Sequence, residues 1–252
     1  MTAVDESVAA EPTSGASWLE SLEAAARRLG AITAVGVVLG VLVGGVGGRL
    51  AMLLLARLNP LASGVTSDDG FTIGQFTVAD TLNLLLAGAF LGLLGAGSYA
   101  LVRGLLIGPR WFQVLSISLG PATVVGAAIV HTDGVDFQLL HPTWLAIALF
   151  VAIPALYCAL LTLIVEPLLR EDSWWARVPL PLAILPVALM VPLFPLLGVL
   201  AGVWAIREVI RRTPSGAGFL AHPTLPWGAR GALSVVFVMA VVDLGQDTAE
   251  LI

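Results

Sequence analysis

The sequence predicts an all-α integral membrane protein, a polytopic bundle of about six transmembrane segments. Hydrophobic residues make up 58% of the 252 residues, charged residues only 12%, and the mean hydropathy is +0.97. So little polar surface cannot cover a water-soluble globule of this length. The apolar residues also fall in runs long enough to cross a hydrocarbon core about 30 Å thick. The chain is therefore predicted to lie in a lipid bilayer.

The charged and sulfur-containing residues exclude several kinds of site. The net charge is −5, and the one basic cluster, Arg207, Arg211 and Arg212, is too small for a nucleic-acid surface. All twelve basic residues are arginine, which suggests a GC-rich bacterial genome. The lone cysteine, Cys158, excludes an intrachain disulfide, a cysteine zinc site and a CxxC pair. Neither a nucleic-acid partner nor a cofactor is predicted.

Residues 1–17 are predicted to be a disordered acidic tail, and residues 18–252 the membrane domain. The tail has acidic but no basic residues among Ala, Ser, Thr and Pro, so it cannot bury enough apolar area to order itself. Ser17 and Glu20 have the spacing of a capping box, which predicts an interfacial helix leading into the membrane. Arg27 and Arg28 mark the inner end of the first span. We therefore expect a cytoplasmic N-terminus in a bacterial cytoplasmic membrane.

The first two spans, predicted at 30–57 and 81–102, carry small residues on one face. Glycines recur every four residues in the first span, at Gly36, Gly40, Gly44 and Gly48. The second span repeats the spacing with Gly88, Gly92 and Ala96. Residues four apart share a helix face, and small side chains let membrane helices approach closely. The two faces are predicted to pack together as a glycine zipper.

Arg49 is the charged residue of the first span. It lies about 27 Å along the helix from Ala31, close to the outer boundary of the membrane. On an ideal helix it points about 160° away from the glycine face, so it needs a partner elsewhere. It either gates or contacts an anion, or it is an interfacial arginine that reaches headgroups or closes a structural ion pair. The candidate acidic partners are Asp80, Asp68, Asp69 and Asp243. Asp80 is expected first, because it starts the second span at about the same depth as Arg49.

The outer loop after Asn59-Pro60 is predicted to contain a small hairpin or loop at 70–79. Two similar triplets, FTI and FTV, flank Gly74-Gln75. A two-residue connection with glycine first suits a type II′ turn. Such a hairpin is marginal alone and must rest on the helices.

The third span, at 111–130, leads into an outer loop with two histidines and two carboxylates. Imidazole and carboxylate groups together are ligands for divalent transition metals. The loop lacks a recognised ligand spacing, and Asp133-Gly134 is also an ordinary turn sequence. The weak candidates for a metal site are His131, Asp133, Asp136 and His141.

The fourth span is predicted at 143–165, the fifth at 178–206 and the last at 230–247. The fifth contains five prolines and either crosses the membrane or turns back within it. A re-entrant segment keeps Arg207, Arg211 and Arg212 inside, as the charge rule prefers. A backbone that bends inside the membrane must be shielded, however, and earlier spans often set the topology. We therefore expect a full crossing.

Three classes of function remain. A structural, accessory or assembly role fits the glycine faces and the scarcity of charge at membrane depth, and it is favoured. A small permease or channel is the alternative, because Arg49, Asp243 and a proline-broken segment are features found around transport sites. An enzyme is least favoured, since the chain holds no P-loop, GxSxG or HExxH motif. The expected partners are the lipid bilayer and a second copy or another membrane protein.

Overall fold

The computed structural model describes residues 17–67, 72–75, 77–132, 135–213, 222 and 224–252, without the side chains of residues 135 and 136. Its principal helices are α1 (Trp18–Leu58), α2 (Val78–Leu105), α3 (Arg110–Ile129), α4 (Val135–Leu139), α5 (Thr143–Leu168), α6 (Leu180–Arg211) and α7 (Thr224–Leu251). All except the short α4 are long and apolar enough to cross a membrane. The predicted all-α bundle is confirmed, and the described residues contain no strand.

Helix α1 begins at the predicted cap. Ser17 Oγ accepts a hydrogen bond from the Glu20 N–H at 3.2 Å, and the Glu20 carboxylate accepts one from the Ser17 N–H at 2.8 Å. The two bonds satisfy backbone donors that have no partner within the helix. Of the predicted acidic tail, residues 1–17, all but Ser17 lie outside the described residues.

The middle of α1 is a π-helix, Gly40–Gly47, rather than the α-helix that the sequence predicted. Its hydrogen bonds run from residue i to i+5 and add a residue to the turn, so the helix downstream is rotated by about 100°. The segment holds several glycines, whose low helix propensity makes the regular α-helical ladder less favourable. The face predicted for Arg49 from an ideal helix is therefore not the face that it occupies.

Two groups of buried side chains hold the bundle together. The larger lies beside the first half of α1, where α1, α2, α5 and α6 contribute Ile32, Leu93, Tyr157, Leu161 and Met190. The smaller lies at the other end of α1, where Leu55 packs with Val130, Phe137 and Ile147. Helix α7 lies at the edge of the bundle, mainly against α3, and only Ala240 of its residues is buried.

Contacts between helix ends define the two faces of the bundle. The N-terminal face is the one where α1 begins, and the opposite face is where α1 ends. At the N-terminal face, the Arg230 Nε of α7 donates to the Leu105 carbonyl of α2 at 2.9 Å. At the opposite face, His131 Nδ1 lies 4.0 Å from Asp247 Oδ2 of α7. Helix α7 therefore crosses the whole bundle and ends on the opposite face.

Helix α6 does not cross, because both of its ends lie at the N-terminal face. Just before α6, Trp175 Nε1 donates to the Arg27 carbonyl at 3.1 Å, and the Arg27 side chain donates to the Val178 carbonyl. At the far end, Arg211 Nη2 donates to Ser21 Oγ at 3.3 Å. The indole rings of Trp18 and Trp204 lie 6.0 Å apart. The expected full crossing is wrong, and the segment is re-entrant.

The bend of α6 lies among its prolines. The segment Leu185–Leu193 is a 3₁₀-helix, and Leu193 has φ −102° and ψ 38°, outside the helical region. Proline provides no backbone N–H and clashes with the preceding turn, so an α-helix is interrupted there. After the bend, Leu196 meets Gly97 of α2, where an added Cβ would lie 2.5 Å from Leu196 Cδ2. The returning half of α6 therefore descends along α2.

The described residues of the segment 70–79, predicted as a small hairpin or loop, do not pair with one another as a hairpin. Ile73 donates to the Val65 carbonyl at 2.8 Å, and one isolated bridge joins Thr66 to Thr72, so this strip pairs with the chain before it. Gly74, with φ +78°, is the third residue of a turn from Thr72 rather than the first of a two-residue connection. The second triplet starts α2 instead, because Thr77 Oγ1 caps it by accepting from the Asp80 N–H at 3.0 Å. Residues 70, 71 and 76 lie outside the described residues.

Candidate functional site

A close helix contact lies between α1 and α2, where glycines of the two predicted faces meet. A Cβ added at Gly36 would lie 2.5 Å from Ala96 Cβ, and one added at Gly40 would lie 2.7 Å from Gly92 Cα. A Cβ at Gly88 would lie 2.5 Å from the Gly40 carbonyl oxygen. Backbone thus lies against backbone, which only glycine permits. We call this the glycine contact.

The π segment changes which glycines take part towards the opposite face. A Cβ added at Gly44 would lie 3.4 Å from Gly88 Cα, an ordinary contact, and one added at Gly48 would meet only the end of the Leu84 side chain, at 3.9 Å. Gly45, which the sequence analysis passed over, is buried, and its added Cβ would lie 3.0 Å from Leu85 Cα. The extra residue in the turn moves Gly45 into the place that an α-helix would give to a residue one position earlier. Four-residue spacing alone could not identify it.

Tyr157 of α5 fixes a third helix to the glycine contact. Its hydroxyl donates to the Gly92 carbonyl oxygen at 2.6 Å, and the hydrogen bond is buried. Its ring fills the space beside Gly95, where an added Cβ would lie 2.6 Å from Tyr157 Cε1. A tyrosine in an apolar run packs its ring and still needs a partner for its hydroxyl. The sequence offered no way to name that partner, since it is a backbone carbonyl.

Arg49 lines a cavity of about 60 Å³ near the opposite face. The cavity lies between α1, α5 and the loop that contains Thr72–Gln75, and its other walls are mostly apolar. Arg49 Nη2 donates to the Gln75 carbonyl oxygen at 3.3 Å. A volume of this size admits a few water molecules. The cavity is thus a small site, large enough for water, beside the half-buried guanidinium group of Arg49.

Two of the four acidic residues proposed to pair with Arg49, Asp80 and Asp243, are described, and they lie in different helices. Among the ion pairs of the described residues, none joins Arg49 to Asp80 or Asp243. Asp80 lies in the first turn of α2, and Asp243 is exposed on α7, one turn before Asp247. Asp68 and Asp69 lie outside the described residues. Pairing of Arg49 with an acidic side chain stays a prediction.

Of the four residues proposed as metal ligands, the two histidines are described, and each contacts a group other than a proposed ligand. His131 Nε2 lies 2.9 Å from the Ala128 carbonyl oxygen, and His141 Nδ1 lies 3.5 Å from Thr143 Oγ1. Asp133 and the side chain of Asp136 lie outside the described part of the chain. Within that part, no three His, Cys, Asp or Glu side chains lie close enough to share an ion.

A charged network that the sequence analysis missed joins α2 to α5 at the N-terminal face. Glu166 Oε1 accepts from the Tyr99 hydroxyl at 2.7 Å and from Arg103 Nη2 at 3.1 Å. Arg103 and Glu166 directly follow the second and fourth predicted spans, 81–102 and 143–165, and opposite charges at these two span ends could have indicated the pair. Tyr99 could not be inferred in this way, because a tyrosine in an apolar run carries no sign of its partner.

Glu208 holds the end of the re-entrant helix. Its buried carboxylate accepts from Arg211 at 2.9 Å and from Arg212 at 2.6 Å. The Arg212 guanidinium also lies 4.5 Å from the centre of the Trp18 ring, within the range of a cation–π interaction. Two of the arginines that favoured the re-entrant alternative therefore fasten α6 to the start of α1.

Comparison of this chain with models of protein families, with curated proteins and with solved structures finds no match. Its function is therefore argued from its own residues alone.

Proposed function

We propose that this chain is a non-catalytic accessory or assembly component of a bacterial cytoplasmic membrane. The observation that carries the proposal is that polar side chains within the bundle form hydrogen bonds to other helices of the same chain. Tyr99, Tyr157 and Glu166 bond to groups of neighbouring helices of the same chain. Polar groups at membrane depth that only join a chain's own helices stabilise its architecture and present no chemistry to a ligand.

The buried hydroxyl groups support the same conclusion. Thr33, Ser118 and Thr162 are buried, and each donates to the carbonyl oxygen four residues earlier in its own helix. Such back-bonding satisfies a hydroxyl without aiming it at a central cavity. A solute pathway needs polar groups that converge on one space. These hydroxyls instead belong to a packed interior, which suits a scaffold that holds a partner.

The arginine distribution supports a cytoplasmic N-terminal face. With α6 re-entrant, the ends of α2, α5 and α6 and the start of α7 all place arginines near the start of α1. Examples are Arg103, Arg177, Arg211 and Arg230. Positive flanks are retained in the cytoplasm. We infer that the N-terminus is cytoplasmic and that the C-terminus lies outside.

The accessory role is tested by purification from the native membrane. The chain is tagged at its C-terminus, expressed at its native level and crosslinked before solubilisation. We expect one membrane protein to co-purify in a fixed ratio and to fall in amount when the chain is depleted. A chain that purifies without another protein, and whose depletion leaves every membrane complex intact, contradicts the accessory role.

A small permease is the second candidate, and the shape of α6 favours it. Broken, re-entrant helices often surround the sites of channels and transporters, where their unpaired backbone groups face water or a solute. The test is a flux screen with purified protein in liposomes, beside liposomes that contain heat-denatured protein. Saturable flux of any one solute supports transport and rejects the purely accessory role, whereas no flux with a co-purifying partner rejects transport.

A further inference from the structure

Helix α7 contacts the bundle near its start and again from Ala240 onward, but it stands away from the bundle between these places. Near the start, Arg230 bonds to the end of α2. Further along, Ala240 is buried, and Leu244 Cδ2 lies 3.2 Å from the position of a Cβ added at Gly126 of α3. Between these contacts, every residue of the range 231–239 is exposed. The ten residues from Arg230 to Ala240 cover about 15 Å, half of a hydrocarbon core about 30 Å thick.

The register between α3 and α7 follows from two contacts. Both helices run from the N-terminal face to the opposite face, so they are parallel. Gly126 meets Leu244, and Thr123 and Val241, each three residues earlier, line one cavity between the two helices. The two contacts agree on one register. Residues at equal distances before Gly126 and Leu244 therefore lie at similar heights.

An apolar cleft separates the two helices in the half of the bundle nearer the N-terminal face. Residues seven and eleven positions before Gly126 and Leu244 point within about 20° of the directions in which those two residues point. These residues are Leu115 and Leu119 on α3 and Leu233 and Phe237 on α7. Although they lie on the facing sides of the two helices, they are 36–47% exposed. Side chains in a close helix contact would be buried, so the helices stand apart here. We call these four residues the α3–α7 cleft.

Arg230 lies at the end of the α3–α7 cleft at the N-terminal face. It precedes Leu233 by one turn of α7, and its Nε is held by the Leu105 carbonyl oxygen. The centre of the Trp227 ring lies 5.0 Å from its guanidinium carbon. Its terminal nitrogens make no hydrogen bond to the described residues, and none of their carboxylates pairs with it. A guanidinium group that is held in place and keeps free N–H donors is suited to bind a phosphate group.

We propose that the α3–α7 cleft holds one acyl chain of an anionic phospholipid, with the lipid phosphate bound to Arg230. The depth of the cleft, about 15 Å, matches one leaflet of the bilayer. Trp111 and Trp227 are exposed at the start of the two helices, where aromatic side chains meet lipid headgroups. Basic pockets between membrane helices bind anionic headgroups. The lipid supplies packing that α7 lacks within its own chain, and it neither requires nor excludes the accessory role proposed above.

Native mass spectrometry of the full chain in detergent tests the headgroup contact. We expect one phosphatidylglycerol to bind more tightly than phosphatidylcholine, and Arg230→Gln to weaken its binding about fivefold, the effect of one arginine beside an anionic lipid. The control Arg207→Gln removes the same charge from an exposed site on α6 at the same face and should bind like the wild type. Wild-type binding by Arg230→Gln, no preference over phosphatidylcholine, or displacement of the lipid by inorganic phosphate overturns the proposal.

Filling the α3–α7 cleft tests the acyl chain without changing a charge. We expect Leu233→Trp to weaken phosphatidylglycerol binding about fivefold or more, because overfilling a packed space is unfavourable by a comparable amount. The control Val235→Trp lies at nearly the same height, is 59% exposed and points about 200° away around α7, so it should bind like the wild type. Equal binding by the two tryptophan variants overturns the proposal. Circular dichroism checks the fold of every variant, and if Arg230→Gln is misfolded, the tryptophan pair decides alone.

Discussion

A methyl group added at Gly88 tests how closely α1 and α2 must approach. The Cβ of Gly88→Ala would lie 2.5 Å from the Gly40 carbonyl oxygen and 2.6 Å from the Gly45 nitrogen. Both are backbone atoms of α1, so no side chain can rotate away to make room. The helices must separate by roughly 0.9 Å for the first distance to reach 3.4 Å, where ordinary van der Waals contact begins.

The cost of that separation follows from the nature of the contact. A radial gap of about 0.5–1 Å loses roughly a quarter to a half of the dispersion energy between facing atoms. Lipid provides no hydrophobic force that would pull the two helices back together. Overpacking a rigid interior costs about 1–3 kcal/mol, and backbone against backbone belongs at the upper end. We therefore expect Gly88→Ala to lower the free energy of unfolding by about 2–3 kcal/mol.

The assay is unfolding of the purified protein in mixed micelles, followed by circular dichroism as the fraction of denaturing detergent rises. The matched control is Gly202→Ala, on the returning half of α6, where an added Cβ meets nothing within 4 Å. The control should be as stable as the wild type or more stable by up to about 1 kcal/mol, because alanine is more favourable than glycine in a helix. If both variants unfold at the same detergent fraction as the wild type, the helices do not depend on the glycine contact.

Two further predictions concern topology and the charged network. Impermeant thiol reagents should label Thr132→Cys and Ile252→Cys in intact cells and Thr213→Cys only after permeabilisation. Labelling of Thr213→Cys together with Thr132→Cys in intact cells, with Ile252→Cys protected, would contradict a re-entrant α6. Replacement Glu166→Gln should lower the free energy of unfolding by about 1–2 kcal/mol, because charge-assisted hydrogen bonds are lost at a site about one third exposed. In a thermal melt, the exposed control Glu171→Gln should match the wild type, and an equal loss in both would show that the network is not stabilising.

Hydropathy and spacing were sufficient to predict the bundle. Long apolar runs have few alternatives to a membrane helix, because every backbone group in lipid must be bonded within its own segment. The glycine faces were also visible, since Gly88 and Gly92 lie in an apolar helix where glycine is otherwise unfavourable. The π segment was not visible, because its hydrogen bonds differ from an α-helix by one residue and the same sequence allows both.

The contacts of the candidate sites could likewise be predicted from the sequence only in part. Charge predicted that Arg49 needs a partner, but its contact with the Gln75 carbonyl is a backbone contact that no pattern of side chains encodes. The hairpin was predicted from two similar triplets, yet Thr77 forms a helix cap through a bond to the Asp80 N–H. A cap and a strand residue have similar backbone angles before a helix, so local sequence could not separate them. Whether such a residue becomes a helix cap or part of a strand depends on its contacts with the neighbouring helices.

The prolines of α6 show why composition alone could not settle its path. A full span and a re-entrant segment have the same hydropathy, but they place different demands on the backbone. In a straight span each interior proline removes a hydrogen bond that lipid cannot replace. In a bent segment the bend itself would leave some backbone N–H groups without a partner. A proline at such a position has no N–H group, so no hydrogen bond is lost. Pro186 and Pro192 lie in the 3₁₀ segment, and Pro195 follows the non-helical Leu193. Prolines grouped at mid-segment therefore favour a backbone that turns inside the membrane, provided that neighbouring helices shield it, as Gly97 of α2 does by admitting Leu196.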